Sequence, residues 1–438
     1  MWLLNTTTYE LTNFTSHKLP PYAILSHCWD QPDSRELTLA DMRRLWWARL
    51  RPGWKKVRNA CRYARWECGM EWIWIDTCCI DKASSAELSE AINSMFAWYR
   101  DARVCIVYLA DVPPLSDSDP RAPDSPFRRS RWFTRGWTLQ ELVAPDPHMV
   151  FLSREWGPIG RRAKLADVIE EITKVDAELL ATKYTPAALE ELGTSVARRM
   201  SWAASRQTTR AEDRAYSLMG LFDIHMPILY GEGGAKAFLR LQMEIIRRSP
   251  DHTIFAWGPH ALLPGPMRDL ASASPGGDVH SFPLFARSPT AFRDSGDLRA
   301  ISTDALTARF NLPPIAFPEY HETNHGVRIQ LPIFALPTSH YKPLFCAVLA
   351  CHRREAGSDG PDACADMEFI GLVLRKKTSE SATAYVRTQA QLHLHGAANM
   401  GYTTRMLGHT VQLYTLVLRS SCDIEDVHAS VQDIYIQL

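Results

Sequence analysis

Three short apolar runs, separated by segments of helix length, constrain the fold of this chain more than any other feature. Residues 22–29 read Tyr-Ala-Ile-Leu-Ser-His-Cys-Trp, residues 72–80 Trp-Ile-Trp-Ile-Asp-Thr-Cys-Cys-Ile, and residues 104–109 Val-Cys-Ile-Val-Tyr-Leu. Runs this short without polar alternation suit strands buried on both faces, as in parallel sheets. Trp54 to Glu67 separates the first two. Ser84 to Arg100 separates the second pair, with Leu88, Ile92, Met95, Phe96 and Tyr99 on one stripe at helical spacing. A strand–helix–strand–helix–strand order predicts three parallel strands in one sheet, an α/β domain.

Downstream, a loop dense in Pro, Asp and Ser runs from Pro113 to Pro126, Gly136 to Leu142 reads as a turn entering a helix, and Val150 to Leu152 reads as a further strand. From Gly160 to about Ser249 the spacing is helical. Within it Gly231-Glu232-Gly233-Gly234 precedes Ala237-Phe238-Leu239, where free amides at a helix start would hold an anion. The Gly-Lys-Ser/Thr ending of a phosphate loop is missing, so a plain turn is the simpler reading. Pro259 to Asp278 has the composition of a linker. After it, Val327 to Leu331, Leu344 to Leu349, Phe369 to Leu374, Val411 to Leu418 and Asp433 to Leu438 are spaced as in an antiparallel sheet or sandwich. The expected organisation is an α/β domain over 1–155, a helical region over 156–258, a linker over 259–278 and a mainly β domain over 279–438. The last is expected to add nothing to a site on the first.

Forty-nine basic residues face 49 acidic ones, so no net field attracts nucleic acid or an anionic membrane, and no nucleic-acid partner is expected. A local patch would be needed. Arg128, Arg129, Arg131 and Arg135, interleaved with Trp132 and Phe133, are the candidate, though short basic runs are usually solvated faces. No apolar run is long enough to span a bilayer, and Met1 to Tyr9 lacks the pattern of a secretory signal. A cytoplasmic or nuclear chain is expected, which makes the sequons at Asn5 and Asn13 incidental and the ten cysteines thiols. None forms a C-x-x-C pair, and no metal site is expected.

Tyr22-Ala-Ile-Leu-Ser-His-Cys-Trp29, then Trp74-Ile-Asp-Thr-Cys-Cys-Ile-Asp81 leading into Glu87 to Met95, then Arg135-Gly-Trp-Thr-Leu-Gln-Glu-Leu142 resemble, in order and separation, the three signature blocks of the fungal heterokaryon-incompatibility (HET) domain. Glu212 to Phe222 and Tyr230 to Gly233 are similar to the region that follows such domains in a large fungal subgroup. Asp30 departs from the family's usual Gly, and Asp81-Lys82 from its frequent Asn-Gln. The resemblance implies a flavodoxin-like parallel sheet akin to Toll/interleukin-receptor domains. It also implies a trigger of non-self recognition and programmed cell death that works through a protein partner or self-association. Some proteins of that wider group cleave NAD, so NAD is a possible substrate, with no cofactor required.

Cleaving the nicotinamide–ribose bond passes through an oxocarbenium-like state that a carboxylate can stabilise, and Glu87 is the matching position. It flanks the apolar stripe, whereas Glu90 is expected to face water. Ser84-Ser85-Ala86-Glu87 also fits a capping box, which would occupy the same carboxylate. His27 and Asp76 end neighbouring strands, where they either serve a substrate or tie the strand ends together. Cys79 with His27 and Asp76 would make a nucleophilic set, against its apolar surroundings. Ser26, Trp29, Trp137 and Arg135 are the candidate substrate-binding positions. The rival reading makes the same residues a non-enzymatic interaction surface.

Overall fold

A computed structural model describes residues 1–438 except 16–18, 31, 33–34, 263–273, 276–279, 282, 317–318, 325, 337–342, 354–367, 378–382, 394–409, 414, 420–428 and 437–438. The chain divides into two compact units. One comprises Met1–Leu192 with Ser205–Ala237, the other Gly193–Ala204 with Phe238–Leu438. Among the described residues no helix is long and apolar enough to cross a membrane.

The first unit is built on β1 (Trp2–Asn5), β2 (Leu11–Asn13), β3 (Tyr22–His27), β4 (Trp72–Ile75), β5 (Val104–Tyr108), β6 (Val150–Leu152) and β7 (Pro158–Arg161), in the order β2-β1-β4-β3-β5-β6-β7. The three expected strands are parallel, with β3 pairing β4 on one side and β5 on the other, and β6 extends the parallel set. In chain order the parallel strands therefore lie 2-1-3-4, the flavodoxin-type sequence. Every residue of β3 is buried, which is why it carries no polar alternation. The antiparallel edge made by β1 and β2 was not expected from the sequence.

Chain direction reverses at β4, so right-handed crossovers place α3 (Trp54–Trp66) and α4 (Ser85–Asp101) on opposite faces. Side-chain alternation along β3 agrees. His27 points to α3 and meets Lys56, whereas Tyr22 donates to the Trp98 carbonyl of α4 at 2.7 Å. On α4 the buried residues are Ala91, Ile92, Met95, Phe96 and Tyr99, with Leu88 only half-buried. The short helix α5 (Thr138–Val143) follows the turn at Gly136, as expected.

Gly220 lies in a short 3-10 segment against α4, where a Cβ would come within 2.2 Å of Phe96 Cβ. Because that atom is fixed to the helix backbone, the neighbour cannot yield. Gly220→Ala is expected to destabilise the unit by about 3 kcal/mol, the upper end of overpacking costs, read as a shift in the urea midpoint at constant slope. In the Gly231–Gly234 turn the amides of Gly231, Glu232 and Gly233 are already occupied. Glu212 Oε1 accepts from Gly231 N at 2.9 Å and from Gly233 N at 3.1 Å, so the chain supplies its own anion.

In the second unit, Gly326–Ala335 pairs antiparallel with Leu344–Arg353, that strand with Glu368–Lys376, and that in turn with Ala384–His393. Ala384–His393 pairs parallel with Ser430–Ile436, which returns antiparallel to Gly326–Ala335. The sheet closes on itself, which removes free edges along this ring. The stretch read as a linker contributes His260–Leu262 and Ser274–Pro275 to this sheet as strands, and its residues 263–273 and 276–278 lie outside the described residues.

Candidate functional site

Two carboxylates stand near the C-terminal end of β3. Asp76, the residue after β4, accepts from His27 Nε2 at 3.1 Å and from Trp29 Nε1 at 2.7 Å. His27 Nδ1 lies 3.3 Å from Lys56 Nζ, which pairs with Glu36 and, at 2.9 Å, with Asp30. Nδ1 also lies 3.2 Å from Cys28 O, and since a carboxylate only accepts, Nε2 is the nitrogen that donates to Asp76. Burial raises the Asp76 carboxyl, but the hydrogen bond and charge of His27, the charge of Lys82 and the Trp29 bond hold it well below the usual carboxylate range. Both departures from the family pattern take part. Asp30 pairs with Lys56, and Lys82 Nζ sits 3.7 Å over the Trp29 ring. His27 and Asp76 thus bind each other and tie adjacent strand ends together.

On the other face of β3, Ser26 accepts from Trp132 Nε1 at 2.8 Å and donates to the buried Glu141 carboxyl. Burial pushes Glu141 up to about 8, with Asp76 adding to the rise and Ser26, Arg135 and Tyr99 opposing it. That burial favours the protonated carboxyl. Beside it Arg206, buried and pushed down to about 9 by that burial, donates through Nη1 to Arg135 O at 2.9 Å and to Thr138 Oγ1 at 3.0 Å. Gln207 pairs with the same loop through Gly136 N and Thr134 O.

Because the folded value of Glu141 lies above its ordinary value of 4.5, its contribution to stability is fully present below 4.5 and lost as pH rises through about 8. Glu141→Gln removes that titration while keeping the shape. The wild-type chain is expected to lose roughly 4 kcal/mol more than the variant between pH 5 and pH 9, measured by denaturation of both at each pH.

The crevice where the strand order reverses, between β3 and β5, is the usual ligand position in open α/β sheets. Here the chain roofs it. Ser130 Oγ and Arg131 N donate to Asp111 beyond β5, and Arg131 Nη2 donates to Trp29 O at 2.8 Å. A groove of about 450 Å³ opens beside α4, lined by Trp2, Phe14, Cys79, Glu87, Glu90 and Trp98 among others. Glu87 is half-buried there. Ser84 Oγ accepts from Glu87 N at 3.3 Å, but Ser84 N donates to Asp81 O, so the reciprocal bond of a capping box is replaced and the carboxylate is left to the groove. Glu90, expected to face only water, is exposed and lines the same groove. The groove runs between α4 and the N-terminal edge strands, away from the apolar stripe, so residues one turn apart both border it.

The groove therefore unites Glu87 with Cys79 but not with His27 or Asp76. Cys79 Sγ is buried against the backbone of Ile73 and Ile75, while His27 turns to Asp76 and Lys56. Trp29 lies with Asp76, Ser26 with Glu141, and Arg135 is half-buried over Cys28 and Glu141. Trp137 is half-buried and bonds Asp213. In the basic run, Trp132 and Phe133 are buried and Arg128 pairs with Glu171 at 2.6 Å, which leaves no ring for stacking on bases. The sequence reading missed Glu141, Arg206, Lys56 and Glu36. An acid between Leu139 and Leu142 in a helix buried along its whole length was the available signal for Glu141.

Residues 22–120 match the family described as heterokaryon incompatibility protein (HET), and residues 236–357 match one described as a domain of unknown function, DUF8212. The vegetative incompatibility protein HET-E-1 of Podospora anserina is 48% identical over 233 residues, which make up 52% of this chain and 16% of that relative. The match thus spans a small part of the relative's length. No solved structure matches the chain.

Proposed function

Because residues 22–120 form a heterokaryon incompatibility domain, we propose that the chain acts in fungal vegetative incompatibility, as an intracellular trigger of cell death, and that its first unit cleaves NAD in the groove beside Glu87. The groove carries this reading: a carboxylate with no capping duty stands in a space of about 450 Å³ that is also bordered by Trp2, Phe14 and Trp98. Tryptophan and phenylalanine rings suit the flat bases of a dinucleotide. As the bond between ribose and nicotinamide breaks, its electron pair leaves with the neutral base and positive charge grows on the ribose. Glu87 stabilises that charge, and water adds to give ADP-ribose and a proton. The 2-1-3-4 strand order, a flavodoxin-type arrangement, supports the assignment by analogy of fold. A second copy or a partner protein would start the reaction by assembling the units.

The test is to incubate the purified full chain with NAD and measure free nicotinamide. Release is expected. A folded chain that releases none, alone and at concentrations that favour self-association, would leave only the interaction-module reading.

A further inference from the structure

The outer face of α3 carries Lys55, Arg58, Arg62 and Arg65, spaced by three, four and three residues and all exposed. That spacing sets them on one stripe. The preceding segment, with short helices α1 (Leu39–Met42) and α2 (Leu45–Ala48), adds exposed Arg43, Arg44 and Arg49. Among the described residues no acid pairs with any of these cations. Their contacts are with rings: Arg43 lies 5.5 Å over Trp2 and Arg49 5.9 Å over Trp54. The cations converge, since the charges of Arg58, Arg62 and Arg49 all reach the hydroxyl of Tyr9, whose ring packs 4.9 Å from Trp54. In a chain of zero net charge this is a marked local excess.

Two residues from Arg44, beside Arg49 and beside Arg65 in the chain stand the three most exposed large apolar side chains among the described residues. Trp66 is 77% exposed, Leu50 73% and Trp46 69%. Leaving them in water is unfavourable, and nothing in local packing requires it. We propose that this face docks on an anionic lipid bilayer, with the cations against the headgroups and Trp46, Leu50 and Trp66 in the interfacial layer. Tryptophan prefers that layer, where one edge of the ring is wet and the rest apolar. A single-stranded nucleic acid would also accept arginines and stacked tryptophans. Leu50 distinguishes the two, because an aliphatic side chain gains from acyl contact and offers no ring to a base.

The proposal does not depend on the NAD reading. It is tested with the full chain, by co-sedimentation with vesicles of phosphatidylcholine alone and of phosphatidylcholine with phosphatidylserine, with a single-stranded RNA homopolymer in a parallel arm. Binding is expected only with phosphatidylserine and should weaken with salt. Each cation near such a surface is worth about fivefold, so Arg58→Gln with Arg62→Gln should reduce partitioning about 25-fold. Trp46→Ser with Leu50→Ser leaves the charge intact and should reduce partitioning into the same vesicles about tenfold or more, while brominated lipid still quenches Trp66 of whatever binds. All four positions are exposed, so folding is spared. No vesicle binding by the unaltered chain, binding that both double variants retain, or binding to RNA in place of vesicles would each overturn the assignment.

Discussion

Glu87→Gln is expected to lower nicotinamide release by about 10²–10³-fold, and to abolish killing by the overexpressed chain, with the fold unchanged. The helix does not depend on this carboxylate. Its cap is the Ser84 hydroxyl accepting the Glu87 backbone N–H, and glutamine keeps that amide and the side-chain size. Only charge is lost. A half-buried carboxylate acts on a developing cation through a medium less screening than water, so its removal raises the barrier directly. Glu90 borders the same groove but is exposed, and Glu90→Gln should change the rate by no more than a few-fold. Equal losses from both would mean that the groove works through its summed negative charge on the cationic nicotinamide ring of NAD, which appears in KM and not in kcat. A folded Glu87→Gln chain with full activity would remove the carboxylate mechanism.

Asp76→Ala is expected to destabilise the first unit by about 3 kcal/mol, because it leaves both the His27 imidazole and the Trp29 indole N–H without their acceptor. The pH dependence identifies the cause. A carboxyl held below its ordinary value contributes stability that is fully present above that value, near pH 4, and lost as pH falls toward the lowered one. The wild-type chain should therefore show a steeper acid limb than Asp76→Ala in denaturation series run from pH 7 downward. Activity of the variant should follow its folded fraction. If Asp76→Asn, which keeps one acceptor, were stable and yet inactive, Asp76 would have to act on substrate.

Buried parallel strands were legible because their environment is uniform. An apolar side chain is wanted from Tyr22 to Leu25 of β3, and the sequence shows an unbroken run there before the buried Ser26 and His27. The α4 stripe was legible for a related reason, since one helix face meets one sheet. What escaped is whatever depends on residues distant in the chain. Ser26 and Glu141 are 115 positions apart and recognisable as partners only once β3 and α5 are packed together. The groove is bordered by Trp2 and Phe14 from the N-terminal edge as well as by α4, and β1 is too short to show a period. Glu87 looked like a helix cap because Ser84 and Glu87 stand at the right spacing. Asp81, three residues earlier, takes the amide that a reciprocal cap would use.

The first unit returns to the chain after an interruption: Gly193–Ala204 belongs to the second unit, and Ser205–Ala237 to the first. Arg206 and Gln207, which hold the loop at 134–138, are in that returning piece. During vectorial synthesis the loop therefore stays unpinned until about a hundred residues after β5 have emerged from the ribosome tunnel, which delays completion of the first unit. No single cut separates the units intact, either. Ending the chain after Leu192 strips the first of its closing segment, and ending it after Ala237 carries residues 193–204 away from the second. Exchange of incompatibility modules between genes would then have to move the interleaved pair as one cassette.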